Sequence, residues 1–193
     1  MWRNICRLLS SKTGEMVKDI RDPAIVEMYK IKELCAAKGV DEEIQKRLGS
    51  AITLAEARDA YCESVSSGPS DALATLHKGT LSYPFDQAFE DGKTKWPLSP
   101  VMLSGHLEGK FLQSIVSMSK AKKVLEVGTF TGYAALACAE VLPEDGTVTT
   151  LEYDPFLEDM IKEFFSKSPH GNKITVRIGD AKDTLLELAE EKA

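Results

Sequence analysis

The spacing of hydrophobic positions changes near residue 100, and that change sets the expected architecture. Ile25, Met28, Ile31 and Leu34 recur every third residue and predict a helix over about Pro23 to Ala37, closed by Lys38-Gly39. Ile44, Leu48, Ile52 and Ala55 share one face of a second helix, with Asp41 as its N-cap. A Ser-Ser-Gly-Pro-Ser turn at 66–70 precedes a third helix around Ser70 to His77. Residues 79–100 carry Gly79, Pro84, Gly92, Pro97 and Pro100 and predict a loop-rich connection. Leu103, Leu107, Phe111, Ile115 and Met118 then form one more helical stripe. Beyond it, short apolar runs alternate with helical patterns. Strands are predicted over 122–128, 147–152 and 173–178, and helices over 131–141, 155–167 and 181–191.

Strand–helix alternation at this spacing predicts parallel βαβ units with right-handed crossovers. The fold class is therefore α/β: a Rossmann-like sheet showing three parallel strands, preceded by an all-helical N-terminal region. Ligands in such sheets bind outside the carboxyl ends of the strands. Here those ends are Gly128, Glu152 and Asp180.

Composition narrows the options. The chain has 193 residues, 24 Lys+Arg against 30 Asp+Glu and a net charge of -6, so a basic nucleic-acid groove is not expected. No run approaches the ~18 consecutive apolar residues that cross a bilayer, so no membrane partner is expected. Cys6, Cys35, Cys62 and Cys138 form no C-x-x-C pair and read as free thiols in a reducing, cytoplasmic setting, with a zinc site as the lesser option. Residues 1–14 are basic, with Trp2, Ile5, Leu8 and Leu9 able to share one face. This is a weak organelle-transit pattern, set against a simply frayed terminus.

The chemistry concentrates in Glu126-Val-Gly-Thr-Phe-Thr-Gly-Tyr133 and in Glu152, 24 residues after Gly128. Gly128 lets the backbone leave the strand and a ligand approach the main chain. Gly132 suits close packing at a helix start. An acid at the tip of the second strand can accept both ribose hydroxyl hydrogens. Asp180 ends the third strand beside the slot for an adenine. Phe130 stands where a pyrophosphate-binding turn needs its second glycine, which argues against NAD or FAD. A nucleoside without phosphate, such as S-adenosylmethionine, fits better, and its cationic groups suit Glu126. In the competing reading Glu126 caps a turn and Glu152 is a solvated charge. Among other candidates, His106 reads as solvent-facing, and His77 and His170 as exposed loop or turn residues. Trp96 and Phe89 read as packing for the N-terminal helices, with a place in a substrate pocket as the lesser option.

The segments Val124–Tyr133, Thr149-Thr-Leu-Glu-Tyr-Asp154 and Ile178-Gly-Asp-Ala181 resemble the first three cofactor motifs of the cation-dependent class I O-methyltransferases, the caffeoyl-CoA and catechol type. Met102-Leu-Ser-Gly-His-Leu-Glu-Gly-Lys110 resembles the segment that crosses the methionine end of the cofactor. Met-Leu-Ser-Gly-His-Leu-Glu-Gly (102–109), Phe-Thr-Gly-Tyr (130–133), Pro143-Glu-Asp-Gly146 and Ser-Pro-His-Gly (168–171) further resemble the subgroup that methylates demethyl-4-deoxygadusol. The resemblance implies that Glu126 holds the methionine amino group and that Gly128 and Thr129 contact S-adenosylmethionine by backbone. It implies that Phe130 and Tyr133 wall the sulfonium, and that Glu152 binds the ribose, with Tyr153 in the same set. Asp180 and Ala181 would border the adenine, and Met102 and Ser104 would close over the cofactor. Ala134 stands where the family usually has Ser, so a helix N-terminal amide would serve the carboxylate instead.

The resemblance also implies a small-molecule methyl acceptor with adjacent oxygens, held by a divalent cation of the Mg type that lowers a hydroxyl's pKa. Its ligands, an Asp after the fourth strand and an Asp-Asn pair after the fifth, have no counterpart in this sequence. Catalytic and metal residues are therefore expected only in a full-length form, beyond residue 193. The chain is expected to be a fragment, a truncated isoform or an incomplete gene model, with an exposed strand edge. Its expected parts are residues 1–20 as a loose or targeting segment, 21–100 as a helical cap and 101–193 as the cofactor-binding half. The alternative is a non-catalytic nucleoside- or partner-binding module, with an NAD-linked enzyme third. Oligomeric state stays open, a homodimer being one option.

Overall fold

A computed structural model describes residues 22–190. The transit-like residues 1–14 and Cys6 lie outside the described residues. The chain divides into two compact units, Met1–Val65 and Ser66–Ala193. The second unit thus takes in residues 66–100 together with the sheet.

In the first unit, α1 (Pro23–Ala37) and α2 (Glu42–Val65) pack on each other. Asp22 caps α1 by accepting the Ala24 amide at 2.8 Å, with proline at the first helical position, where its missing N–H costs nothing. Asp41 accepts the Glu43 amide at 2.9 Å. The Tyr29 hydroxyl donates to Glu56 at 2.7 Å, and this bond to a carboxylate pushes the phenol up to about 12. Ile25 and Ile52 are buried, whereas Ile31, Leu34 and Ile44 from the same stripes are exposed.

The second unit opens with α3 (Asp71–Ser82), whose N-cap Ser70 accepts the Leu73 amide at 3.1 Å. This helix replaces the start of the loop expected from residue 79. It runs through Gly79 because that glycine is a contact position: a Cβ there would lie 2.7 Å from the Phe164 ring. Its extension places His77 inside a helix, half-buried, with its ring edge-on to Tyr133 at 6.3 Å. A short helix, α4 (Phe85–Glu90), takes up a further part of the expected loop and buries Phe85 and Ala88.

Next come α5 (Gly105–Ser119), β1 (Lys123–Val127), α6 (Tyr133–Val141), β2 (Thr147–Glu152), α7 (Glu158–Ser166), β3 (Ile174–Ile178) and α8 (Ala181–Glu190). The strands are parallel in the order β1-β2-β3, with Lys123 opposite Thr147 and Val148 opposite Ile174. Val124, Val148, Ile174 and Val176 meet the small-residue helix α6, whose Ala135, Leu136, Ala137 and Ala139 are fully buried. Much of the apolar stripe on α5 faces outward. Gly105, Gly109, Gln113 and Val116 turn inward, while Phe111 and Met118 are 65% and 76% exposed. Close approach decides this: a Cβ at Gly109 would lie 2.8 Å from the Tyr133 ring. Leu125 and Val127, on the other face of β1 by strand alternation, are 52% and 61% exposed.

Leu136→Ala should lower the unfolding free energy by about 2–5 kcal/mol through loss of contacts and a residual cavity. Met118→Ala should change it by less than about 0.5 kcal/mol. Urea melts compare the two, and a large effect at Met118 would show that the outer face of α5 is covered.

Candidate functional site

Parallel pairing brings three strand tips to one end of the sheet, and the glycine turn 128–132 lies there between β1 and α6. The Gly128 amide donates to the Leu151 carbonyl and the Gly179 amide to the Glu152 carbonyl, both at 2.8 Å, which locks the tips in register. Gly128 has φ +90, and nothing lies within 4 Å of the position a Cβ would take. Its surroundings are open, as a close ligand approach requires. Gly132 has φ +95, and a Cβ there would stand 2.5 Å from the Phe165 ring. The constraint on Gly132 therefore comes from a side chain of α7 as well as from the turn.

Glu152 is buried, not a solvated charge. One carboxylate oxygen accepts the Phe130 amide and the other the Asp154 amide, each at 2.8 Å. Phe130 holds a left-handed backbone at φ 51, uncommon for a residue with a Cβ, and its ring rests 5.4 Å from that of Phe85. The charge-assisted bond to Glu152 helps hold that conformation.

Glu126 points at hydroxyls, not at a turn. The Thr129 hydroxyl lies 2.6 Å from that of Thr150, which donates in turn to the Glu126 carboxyl. Burial pushes Glu126 up to about 7; the Thr150 bond opposes this, and repulsion from Glu152 and Glu108 adds to it. Thr150 and Glu108 are functional neighbours that motif spacing does not single out, and the Thr129 hydroxyl joins them. The one sequence signal for them is the paired Thr149-Thr150 near the end of β2.

The remaining expected residues scatter around this centre. Tyr133, first residue of α6, is buried against Gly109 and His77, and Ala134 beside it is half-buried. Tyr153 is partly exposed next to Glu152. Asp180 is exposed and accepts the Lys182 amide at 2.9 Å, capping α8, which begins at Ala181. Met102 is exposed at the end of a single 3-10 turn, and Ser104 stands at the start of α5. His106 is half-buried rather than solvent-facing, and its Nδ1 is buried with no hydrogen-bond partner among the described residues. Cys35 and Cys138 are free thiols; burial, and secondarily the Glu126 charge, pushes Cys138 up to about 11. Among the described residues no three His, Cys, Asp or Glu side chains converge as a metal site, and no helix is long and apolar enough to cross a membrane.

A βαβαβ sheet with an open glycine turn and a buried acid at the second strand tip defines a Rossmann-like α/β protein, with a candidate ligand site at its strand tips. Residues 68–193 match the O-methyltransferase family, and the chain belongs to it. It is 37% identical over 86 residues to a catechol O-methyltransferase of Niastella koreensis, covering 45% of this chain and 39% of that protein. It is 36% identical over 85 residues to caffeoyl-CoA O-methyltransferase 2 of Zea mays, covering 44% and 32%. Among solved structures, the SAH-bound methyltransferase of Podospora anserina superposes with a TM-score of 0.55 and 30% identity, over 69% of this chain and 52% of that one. The Bacillus cereus O-methyltransferase in complex with SAH gives 0.53 and 26%, over 71% and 56%. The chain thus spans about two-fifths or less of these curated relatives and about half of these solved ones.

The Glu126 shift fixes a pH dependence for the unliganded protein. Its folded value, about 7, lies above its ordinary 4.5, so the unfolded chain releases this proton first. The contribution is favourable below 4.5 and is lost as pH rises through about 7. Stability should fall over that window and fall less in Glu126→Gln; parallel slopes in urea melts would contradict this. Gly132→Ala should cost about 2–4 kcal/mol, from strain at positive φ plus the Phe165 clash, read in the same melts.

Proposed function

We propose that this chain carries the S-adenosylmethionine-binding half of an O-methyltransferase. The observation that carries the reading is the Glu152 carboxylate, buried and anchored by the amides of Phe130 and Asp154 beside an open Gly128. Both oxygens keep lone pairs for the two hydroxyls of a ribose. Bound, the cofactor supplies a sulfonium methyl group for in-line transfer to an acceptor oxygen.

The chain's own residues bind and orient it. Glu126, held near neutrality by burial, becomes a full carboxylate when an ammonium arrives, so the ligand's cation supplies the charge partner that the apo site lacks. Thr150 and Thr129 aim that carboxyl and leave backbone, not hydroxyl, as the face that Thr129 offers. Gly128 admits the ligand to the main chain, and the first amides of α6, beginning at Tyr133, suit its carboxylate. Phe130, Tyr133 and Ala134 line the start of that helix; Tyr153, Asp180 and Ala181 border the base; Met102 and Ser104 cover the methionine end.

The acceptor is a small molecule with adjacent oxygens, catechol-like or a cyclohexenone such as demethyl-4-deoxygadusol. A divalent cation would hold such a substrate, but the described residues offer no donor set for one. Leu125 and Val127, exposed on a face of β1 that helices normally cover in parallel sheets, favour a second reading for this chain: a nucleoside- or partner-binding module without turnover.

Calorimetry with S-adenosylhomocysteine and with NAD tests the reading. The former should bind and the latter should not. Glu152→Ala should weaken binding by at least tenfold, about 1.4 kcal/mol or more. Tight NAD binding with no response to S-adenosylhomocysteine would overturn it.

A further inference from the structure

Between α4 and α5, Thr94, Lys95 and Trp96 form a strap fastened to the tip of β2 at four points. The Lys95 amide donates to the Asp154 carboxylate at 2.7 Å, and its ammonium donates to the Tyr153 carbonyl at 2.9 Å. That ammonium also lies 3.7 Å from the centroid of the Tyr153 ring. The Trp96 ring stacks on Tyr153 with centroids 5.3 Å apart and planes within 14°. Inside the strap, the buried Thr94 hydroxyl donates to the Trp96 carbonyl at 2.9 Å.

Asp154, which receives the Lys95 amide, sends its own amide to Glu152. The strap is therefore two hydrogen bonds away, through Asp154, from the carboxylate assigned to the ribose. Trp96 and Tyr153 bury surface against each other and yet keep 37% and 43% of their area open. A stacked pair that stays this exposed beside that carboxylate offers open aromatic surface where a base attached to the ribose would extend.

We propose that Lys95 and Trp96 are positioning residues for the nucleobase: they clamp Tyr153 and hold it, with the 152–154 turn, as the outer wall of a purine site. This rests on the nucleoside-binding reading above. The ligand class is an adenine nucleoside, and the clamp acts through Tyr153, by fixing its ring before the ligand arrives. Pre-ordering an aromatic ring removes an entropy cost from binding. An aromatic pair adds an amount that corresponds to roughly three- to tenfold in affinity.

The test uses the full chain and S-adenosylhomocysteine as the probe. Trp96→Ala should weaken calorimetric binding about three- to tenfold with an unchanged melting temperature, and Trp96→Phe should restore most of it. The chain has two tryptophans, so Trp2→Phe leaves Trp96 as the sole tryptophan emitter. Its fluorescence should change saturably with the same dissociation constant as calorimetry. A merely structural tryptophan would leave the emission flat. If the wild-type chain binds but Trp96→Ala binds equally well, or the emission of Trp96 does not respond, the clamp is wrong and the site reading stands. If the wild-type chain does not bind S-adenosylhomocysteine, the site reading falls and the clamp with it.

Discussion

Two backbone amides from different turns, those of Phe130 and Asp154, converge on the carboxylate of Glu152 at 2.8 Å each. Burying a carboxylate is unfavourable unless its oxygens are met by donors, and at this sheet end the donors are main-chain groups. The consequence reaches outward in both directions. Toward β1, the bond supports the left-handed Phe130 and hence the shape of the glycine turn. Toward β2, it fixes Asp154, whose carboxylate caps the following turn through the Phe156 amide at 3.1 Å and receives the Lys95 amide. One buried side chain thereby joins the β1–α6 turn, the β2–α7 turn and the 94–96 strap.

Glu126 behaves differently from Glu152 though both lie at strand ends. Glu152 has two amide donors, whereas Glu126 has a threonine hydroxyl, burial and two acidic neighbours, so it is held near neutrality. One acid is satisfied before any ligand arrives. The other is left short of a positive partner. This division suits a ligand with a neutral diol at one end and a cation at the other. The packing below it is unforgiving: Phe164 against Gly79, Phe165 against Gly132 and Tyr133 against Gly109 each fill the place of a missing Cβ.

Strands, their parallel order and the acid at the β2 tip are legible in the sequence because each rests on local pattern: short apolar runs, a glycine turn and a fixed spacing from Gly128 to Glu152. The boundaries of α1 and β2 are equally plain from caps and β-branched runs. Gly79 reads as a breaker because a glycine that accommodates a ring has the same letter as one that ends a helix. The α5 stripe is legible only as one helical face, because 3.6-residue periodicity does not say what covers it; close approach through Gly109 turns the other face inward. Trp96 and Lys95 carry no periodic signal, since their partners lie 57 or more positions away in the chain.

On the function proposed above, Glu152 organises a nucleoside site across the strand tips. Amide-resolved NMR during titration with S-adenosylhomocysteine tests it most directly. The largest saturable shifts should fall on Gly128, Phe130, Asp154 and Gly179, at the bonds that hold the tips together. Shifts centred instead on the separate groove lined by Ser70, Lys110, Glu140 and His170, or no saturable shifts at all, would contradict it.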